Sequence, residues 1–243
     1  MRYLGLKSLV FIVFFMSSSA CTQHNIDGAS LSCLIPDEMY PPNNLVISTH
    51  TDFAKGHYPK RILEFKNNRL SKHDVVFLGN SITEQAGDWG KRFNNPKVKN
   101  RGIAGDTTDG VLARLGELTY CEPKQVFILI GINDLFRDDM TSEKVHENIL
   151  KIVNQINDKS PNTKIFVHTI LPTTTVNIRE KIQATNTLLT NSASTEPYQI
   201  IELHNEFADE DDLMNMDLST DGVHLNETGY RIWMKRIINL LQF

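Results

Sequence analysis

The chain has 243 residues, of which 40% are apolar and 22% are charged, and this balance is typical of an ordinary globular domain with one full hydrophobic core. The net charge of −4 and the lack of a Lys/Arg stripe argue against nucleic acid as a partner.

Residues 1–20 have the pattern of an export signal. Arg2 and Lys7 precede an apolar run at residues 9–16, which is too short to span a bilayer of about 30 Å. Small residues follow, and Cys21 comes directly after them. This order resembles a bacterial lipoprotein processing site, although an aliphatic residue is more usual where Ser18 stands. A plain signal peptide cleaved near Cys21 is the alternative.

Residues 21–45 are polar and rich in Pro, Asn and Ser, and we interpret them as a tether to a domain that begins at residue 46. Two further cysteines, Cys33 and Cys121, form a disulfide in an oxidising compartment or remain two buried thiols, and the sequence leaves both possibilities open. No cysteine spacing resembles a zinc site, so no metal is expected.

From residue 46 onward, short apolar runs alternate with segments of helical period. The predicted strands are residues 75–78, a short segment at Val98, and residues 126–130, 164–169 and 199–203. The predicted helices cover residues 145–156, 178–189 and 232–241. This alternation predicts an α/β fold, a three-layer sandwich in which helices cover both faces of a parallel sheet. Binding sites in such sheets form at the carboxyl ends of the strands.

A candidate nucleophile, Ser81, follows the first buried strand in the segment Gly79-Asn80-Ser81. This position places a hydroxyl at the carboxyl edge of the sheet. The nucleophile elbow of α/β-hydrolases requires a second glycine where this chain has Thr83, so that motif is absent. Alone, the segment also fits a strand-to-helix turn in which serine caps the helix.

Two further segments follow predicted strands. Gly105 lies in a glycine-containing loop after Val98 and can present its backbone N–H to a ligand. Asn133 follows the most apolar strand and can direct its amide N–H at an anion. A plain turn is the alternative in both cases.

The segment Asp221-Gly222-Val223-His224 precedes the last predicted helix. An aspartate three residues before a histidine can accept the imidazole Nδ1–H, which leaves Nε2 to take a proton from a serine. A surface loop also explains this spacing on its own.

Together, in this order, the four motifs resemble the SGNH/GDSL hydrolase family over about residues 70–241. Segments 100–108 and 131–135 resemble its platelet-activating-factor acetylhydrolase-like branch. The resemblance implies a flavodoxin-like three-layer fold and an enzyme that needs no cofactor. It implies catalysis by Ser81, His224 and Asp221, with an oxyanion hole formed by Ser81, Gly105 and Asn133. One departure is Asn80, because the family's first block usually reads Gly-Asp-Ser.

The resemblance implies a carboxylic ester hydrolase that acts on a small-molecule or glycan ester. Bacterial members of this branch remove O-acetyl groups from carbohydrates such as sialic acid, and export fits that role on plant or host glycans. A lysophospholipase or platelet-activating-factor-type lipid esterase is the alternative within enzymes. An inactive carbohydrate-binding module on the same fold is the alternative outside them, although the intact Ser81, Asp221 and His224 argue against it.

Polar residues in the motif loops predict a preference for acetyl over long acyl chains, because extra methylenes need an apolar wall to bury against. These residues are Glu84, Gln85, Asp106, Thr107 and Thr108. His168 is interpreted as a packed side chain. Trp89 and Arg137 are candidates for a substrate mouth, although a half-buried Trp and a solvated Arg are commoner.

The lipoprotein interpretation predicts that the mature chain begins at Cys21, carries lipid there, and resides in the bacterial cell envelope as a periplasmic or outer-membrane lipoprotein. Contact with the membrane is then made only through that lipid. Mass spectrometry of the mature N-terminus tests this, and an unmodified first residue other than Cys21 would refute the anchor.

Overall fold

The computed structural model describes residues 34–242, which lie within one compact unit of the chain. The predicted export signal, the lipid anchor at Cys21 and the pairing partner Cys33 lie outside these residues and stay predictions. Cys121 is buried, with its Sγ 3.3 Å from the backbone oxygen of Leu70. Within residues 34–242, no helix has the length and apolarity needed to cross a membrane.

Five parallel strands form one sheet, in the order β2-β1-β3-β4-β5. The strands are β1 (Val75–Gly79), β2 (Val98–Gly102), β3 (Gln125–Leu129), β4 (Lys164–His168) and β5 (Gln199–Ile201). Every residue of β1 and β3 is buried, which requires cover on both faces of the sheet. The predicted α/β fold with a parallel sheet is confirmed.

Helices connect the strands. They are α1 (Asp52–Asn67), α2 (Ser81–Glu84), α3 (Trp89–Arg92), α4 (Thr108–Ala113), α5 (Gly116–Cys121), α6 (Ile132–Leu135), α7 (Ser142–Lys159), α8 (Arg179–Ser192), α9 (His204–Phe207) and α10 (Glu227–Ile237). The single-turn helices α2 and α6 begin within three residues of the ends of β1 and β3. Helix α4 follows β2 after a short loop. The motif residues therefore gather at one edge of the sheet.

Helix α1 was not predicted from the sequence. Its buried residues Ala54, Tyr58 and Ile62 do recur every four positions, as a helix requires. The exposed apolar residues Phe53 and Leu63, next to Ala54 and Ile62 in the chain, obscure that period.

An aromatic cluster fills one side of the sheet. Phe77 of β1 stacks on Trp89 with ring centroids 4.1 Å apart and on Phe127 at 5.2 Å. Trp233 of α10 packs edge-on against Trp89 at 5.0 Å. Because Trp89 is completely buried, it belongs to this core, and it is excluded as a candidate for a substrate mouth.

His168 is a packed side chain, as its strand-end position predicts. Its Nδ1–H donates to the backbone oxygen of Ile128 at 3.0 Å, and its Nε2 accepts from Trp233 at 3.1 Å. Burial lowers the pKa of His168 to about 4, although the bond to Ile128 opposes that shift. The imidazole is therefore neutral at physiological pH.

The described part of the predicted tether, residues 34–45, is packed against the domain. Ile35 is 3% exposed and Tyr40 is 6% exposed, and the Tyr40 hydroxyl donates to Glu117 at 3.1 Å. Three prolines keep this segment from forming a long helix, but they do not prevent its apolar side chains from reaching the core. The predicted domain start at residue 46 is therefore wrong, and the domain includes Ile35.

Replacing Ile35 with alanine should lower the free energy of unfolding by about 2–4 kcal/mol, because the change leaves a cavity in the core. Leu34 is 87% exposed and supplies the control. Leu34→Ala should change stability by less than about 0.5 kcal/mol. Urea denaturation measures both, and equal effects of the two substitutions would contradict the packed segment.

Candidate active site

Ser81 is the first residue of α2, which begins two residues after β1 ends. The side chain of Asn80 caps this helix by accepting the Ile82 N–H at 3.1 Å. The N–H of Ser81 has no acceptor within α2, because it belongs to the first turn. The serine is thereby held at the carboxyl edge of the sheet with a backbone donor beside its hydroxyl.

The side chain of His224 links Ser81 to Asp221. Its Nε2 lies 2.9 Å from the Ser81 Oγ, and its Nδ1 lies 2.7 Å from Oδ2 of Asp221. Because a carboxylate only accepts, the bond to Asp221 places the proton on Nδ1 and leaves Nε2 to accept the serine hydroxyl proton. The structure therefore joins three residues that the sequence predicted for one site.

Asp221 is held in its ionised form. Desolvation, the largest single influence, raises the pKa of Asp221. The hydrogen bonds from the backbone and side chain of His224 and from the Val223 N–H outweigh it, and the pKa of Asp221 falls to about 2. At neutral pH the carboxylate is charged and can stabilise a positive imidazole ring.

The loop that carries Asp221 and His224 is fixed by backbone contacts. Gly222 has a φ of +88°, and a side chain there would collide with Thr174. The backbone N–H of Thr174 donates to the oxygen of Gly222 at 3.0 Å, and the hydroxyl of Ser219 donates to the oxygen of His224 at 2.7 Å. Glycine is required at position 222 because the backbone has a positive φ there and because Thr174 leaves no room for a side chain.

Gly105 lies on the loop after β2, next to α1. Its φ is +78°, and a β-carbon there would meet the Ala54 side chain at 2.9 Å. The neighbouring Ala104 N–H donates to Glu84 of α2 at 2.5 Å, which ties this loop to the helix that carries Ser81.

Asn133 lies in α6, after β3. One of its two amide protons is donated to the backbone oxygen of Asp106 at 2.8 Å. The amide group carries a second N–H, which can donate a hydrogen bond to an oxyanion. Ser81, Gly105 and Asn133 thus follow three adjacent strands.

Asn80, which replaces the usual Asp, keeps the helix cap through its Oδ1. Its Nδ2 is buried and has no hydrogen-bond acceptor among the described residues. The amide therefore preserves the local shape without adding a negative charge next to Ser81.

Three of the five polar side chains predicted for the motif loops point inward. Asp106, Thr107 and Thr108 are all fully buried. The Thr108 hydroxyl and N–H donate to Asp134. Burial raises the pKa of Asp134 to about 6, although these bonds oppose the shift. Of the five polar residues behind the predicted preference for acetyl esters, these three are therefore unable to line the site, whereas Gln85 is exposed and Glu84 is partly exposed. The exposed side chain nearest Gly105 is Phe53.

Two surface cavities, of about 800 and 310 Å³, lie elsewhere. Ser81 and His224 line neither cavity, so neither supplies a channel for an acyl chain at this serine. Arg137, the other candidate for the substrate mouth, is partly exposed and donates to the Thr49 backbone oxygen and to Asp139. Within residues 34–242, no cluster of three or more His, Cys, Asp or Glu is arranged to hold a metal ion.

A buried ionic cluster next to the site was not found from the sequence. It consists of Asp106, Arg114 and His50. Asp106 directly follows Gly105, and that adjacency is the one signal in the sequence that points to it. Arg114 and His50 lie in segments without a recognisable motif.

Known proteins resemble this chain over the stretch that carries these motifs. Residues 77–232 match the model of the GDSL-like lipase/acylhydrolase family. Platelet-activating factor acetylhydrolase IB subunit alpha2 of Rattus norvegicus is 33% identical over 165 residues, which is 65% of this chain and 71% of that protein.

Solved structures share the fold. A GDSL-like lipase from Bacteroides thetaiotaomicron superposes with a TM-score of 0.68 at 23% identity, over 78% of this chain and 98% of that one. A variant of an acetyl-xylooligosaccharide esterase from Geobacillus superposes with a TM-score of 0.59 at 19% identity, over 72% of this chain and 96% of that one.

Proposed function

This chain belongs to the GDSL-like lipase/acylhydrolase family, and we propose that it hydrolyses carboxylic esters with Ser81 as its nucleophile. The observation that carries the proposal is the hydrogen-bonded series from the Ser81 hydroxyl through His224 to Asp221. A serine hydroxyl is a weak nucleophile until a neighbouring base takes its proton, and this series supplies that base.

In the acylation step, the Ser81 Oγ attacks the carbonyl carbon of the ester while its proton passes to Nε2 of His224. Asp221 holds the ring in the required tautomer and stabilises the imidazolium that forms. As the tetrahedral intermediate collapses, the imidazolium gives its proton to the departing alcohol. Water then repeats the sequence on the acyl-serine, with His224 again acting first as base and then as acid.

The developing oxyanion accepts hydrogen bonds from the backbone N–H groups of Ser81 and Gly105 and from the second amide N–H of Asn133. Donors of this kind act where charge appears in the transition state, and each contributes roughly 3 kcal/mol to lowering the barrier. The contact of Asn133 with the Asp106 backbone oxygen orients its amide before substrate arrives.

Ser81→Ala and His224→Ala should each lower kcat for p-nitrophenyl acetate by at least about a thousandfold, because either change removes the activated nucleophile. Circular dichroism and the thermal midpoint should stay close to those of the wild type.

Matched controls are Ser194→Ala and His73→Ala, which change exposed residues outside the site. Both controls should retain wild-type kinetics. A Ser81→Ala protein with near-normal activity would overturn the assignment of the nucleophile.

Acetyl esters of carbohydrates are the proposed substrates. The family relative is named as an acetylhydrolase and the Geobacillus neighbour as an acetyl-xylooligosaccharide esterase, so both are named for acetyl groups. Neither of the two cavities described above is lined by Ser81 or His224, so neither of these two offers a channel for a long acyl chain.

A lipid-borne acetyl ester is the second candidate. The platelet-activating factor acetylhydrolase relative favours it, and so does Phe53, which is 64% exposed beside Gly105 and offers an apolar contact to a leaving group.

For p-nitrophenyl esters, kcat/KM should fall from acetate to decanoate, since added methylenes gain about 0.8 kcal/mol each only where an apolar wall receives them. A steady rise with chain length would reject the short-acyl proposal. Parallel assays of an acetylated xylo-oligosaccharide and an sn-2 acetyl phospholipid then decide between the two leaving groups.

A further inference from the structure

We propose that the buried ion pair between Arg114 and Asp106 positions the oxyanion hole by fixing Gly105 and Asn133 relative to Ser81. The inference rests on the ester hydrolase proposed above. Neither charged side chain is placed to touch substrate, because both are almost completely buried. They act as positioning residues.

Asp106 is the centre of the cluster. Its Oδ2 accepts the Arg114 Nε–H at 2.9 Å, and its Oδ1 accepts the Nε2–H of His50 at 2.9 Å and the Thr107 N–H at 3.0 Å. A buried carboxylate is stable only when its lone pairs are satisfied in this way. The side chain that directly follows Gly105 is therefore held from three directions.

Arg114 extends the cluster to the nucleophile segment. Its second terminal nitrogen donates at 3.0 Å to the backbone oxygen of Gly79, which lies two residues before Ser81. The same oxygen accepts the Ile103 N–H at 3.1 Å, so the loop that carries Gly105 is tied to the end of β1 by its backbone as well. One guanidinium group thus bridges the segments of two oxyanion donors.

The backbone of Asp106 reaches the third donor, because its oxygen accepts the amide of Asn133 at 2.8 Å. Arg114, Asp106 and Asn133 therefore form a continuous series of contacts from the end of β1 to α6. Displacing reacting groups by about 1 Å can lower the rate about a hundredfold. Contacts that hold the oxyanion donors in place therefore have a large effect on turnover.

The planar fork of Arg114 is suited to this bridge. Its Nε–H and its terminal N–H point at two separate acceptors, whereas a lysine presents one compact ammonium group on a flexible stem.

Helix α4, which ends one residue before Arg114, carries Gly110, where any side chain would collide with Asp106 and His50. The close approach of these groups is therefore built into the helix.

A second buried pair in the same protein provides a matched control. Arg101 contacts Glu117 at 2.8 Å, and both of these side chains are also at most 5% exposed. Arg101 also donates to the backbone oxygens of Asn68 and Asn100. The hydrogen bonds of its side chain go to these groups and to none on Gly79 or Asp106. It therefore matches Arg114 in burial and charge but not in its link to the oxyanion donors.

The test compares Arg114→Lys with Arg101→Lys in the full chain, measuring kcat and KM for p-nitrophenyl acetate and the thermal midpoint. Arg114→Lys should lower kcat about 10- to 100-fold with KM changed less than about threefold, as expected when only transition-state contacts are lost. Arg101→Lys should lower the thermal midpoint similarly and leave kcat within about threefold of the wild type.

Similar losses of kcat in both variants, or a normal kcat in Arg114→Lys, would overturn the inference. If Arg114→Lys does not fold, Asp106→Asn compared with Glu117→Gln makes the same comparison, with the same outcomes for and against. A wild-type protein without Ser81-dependent esterase activity would instead overturn the proposed function, so the two failures are distinguishable.

Discussion

The site depends on the close approach of α2 to the carboxyl ends of β1 and β2. Gly79 pairs with Gly102 across these strands, and a side chain at either glycine would collide with the backbone or side chains of α2 or with β3. The absence of β-carbons lets α2 turn back over the sheet edge directly after β1. Ser81 is thereby brought to the same edge as the loop that carries Gly105, and the parallel register of β3 brings Asn133 of α6, which follows β3, to that edge as well.

Much of the fold and of the site follows from the sequence. The apolar runs of β1 and β3 are continuous because both faces of the sheet are covered, and that pattern is visible without coordinates. The pairing of His224 with Asp221 is local, since the two residues lie three apart on one loop. The meeting of His224 with Ser81, 143 positions away, was implied by the family resemblance of the four ordered motifs, since the rule that sites form at strand ends pointed only to the segments of Ser81, Gly105 and Asn133.

The remainder depends on contacts between distant segments that leave no periodic pattern. The segment around Ile35 and Tyr40 has the composition of a linker, yet two apolar side chains suffice to pack it onto the core. Thr107 and Thr108 are polar and lie in a loop, but they turn inward, because buried hydrogen bonds satisfy them. Arg114 has no motif around it, and the positioning role proposed for it depends on a contact with Gly79 that the sequence does not reveal.

The proposed ester hydrolysis requires that His224 activates Ser81 for attack. Labelling with a fluorophosphonate probe tests this most directly, because the probe bonds covalently to an activated serine oxygen, and peptide mass spectrometry locates the adduct. We expect a single adduct on Ser81 in the wild type and a loss of most labelling in His224→Ala. An adduct on another serine, or undiminished labelling of Ser81 without His224, would contradict it.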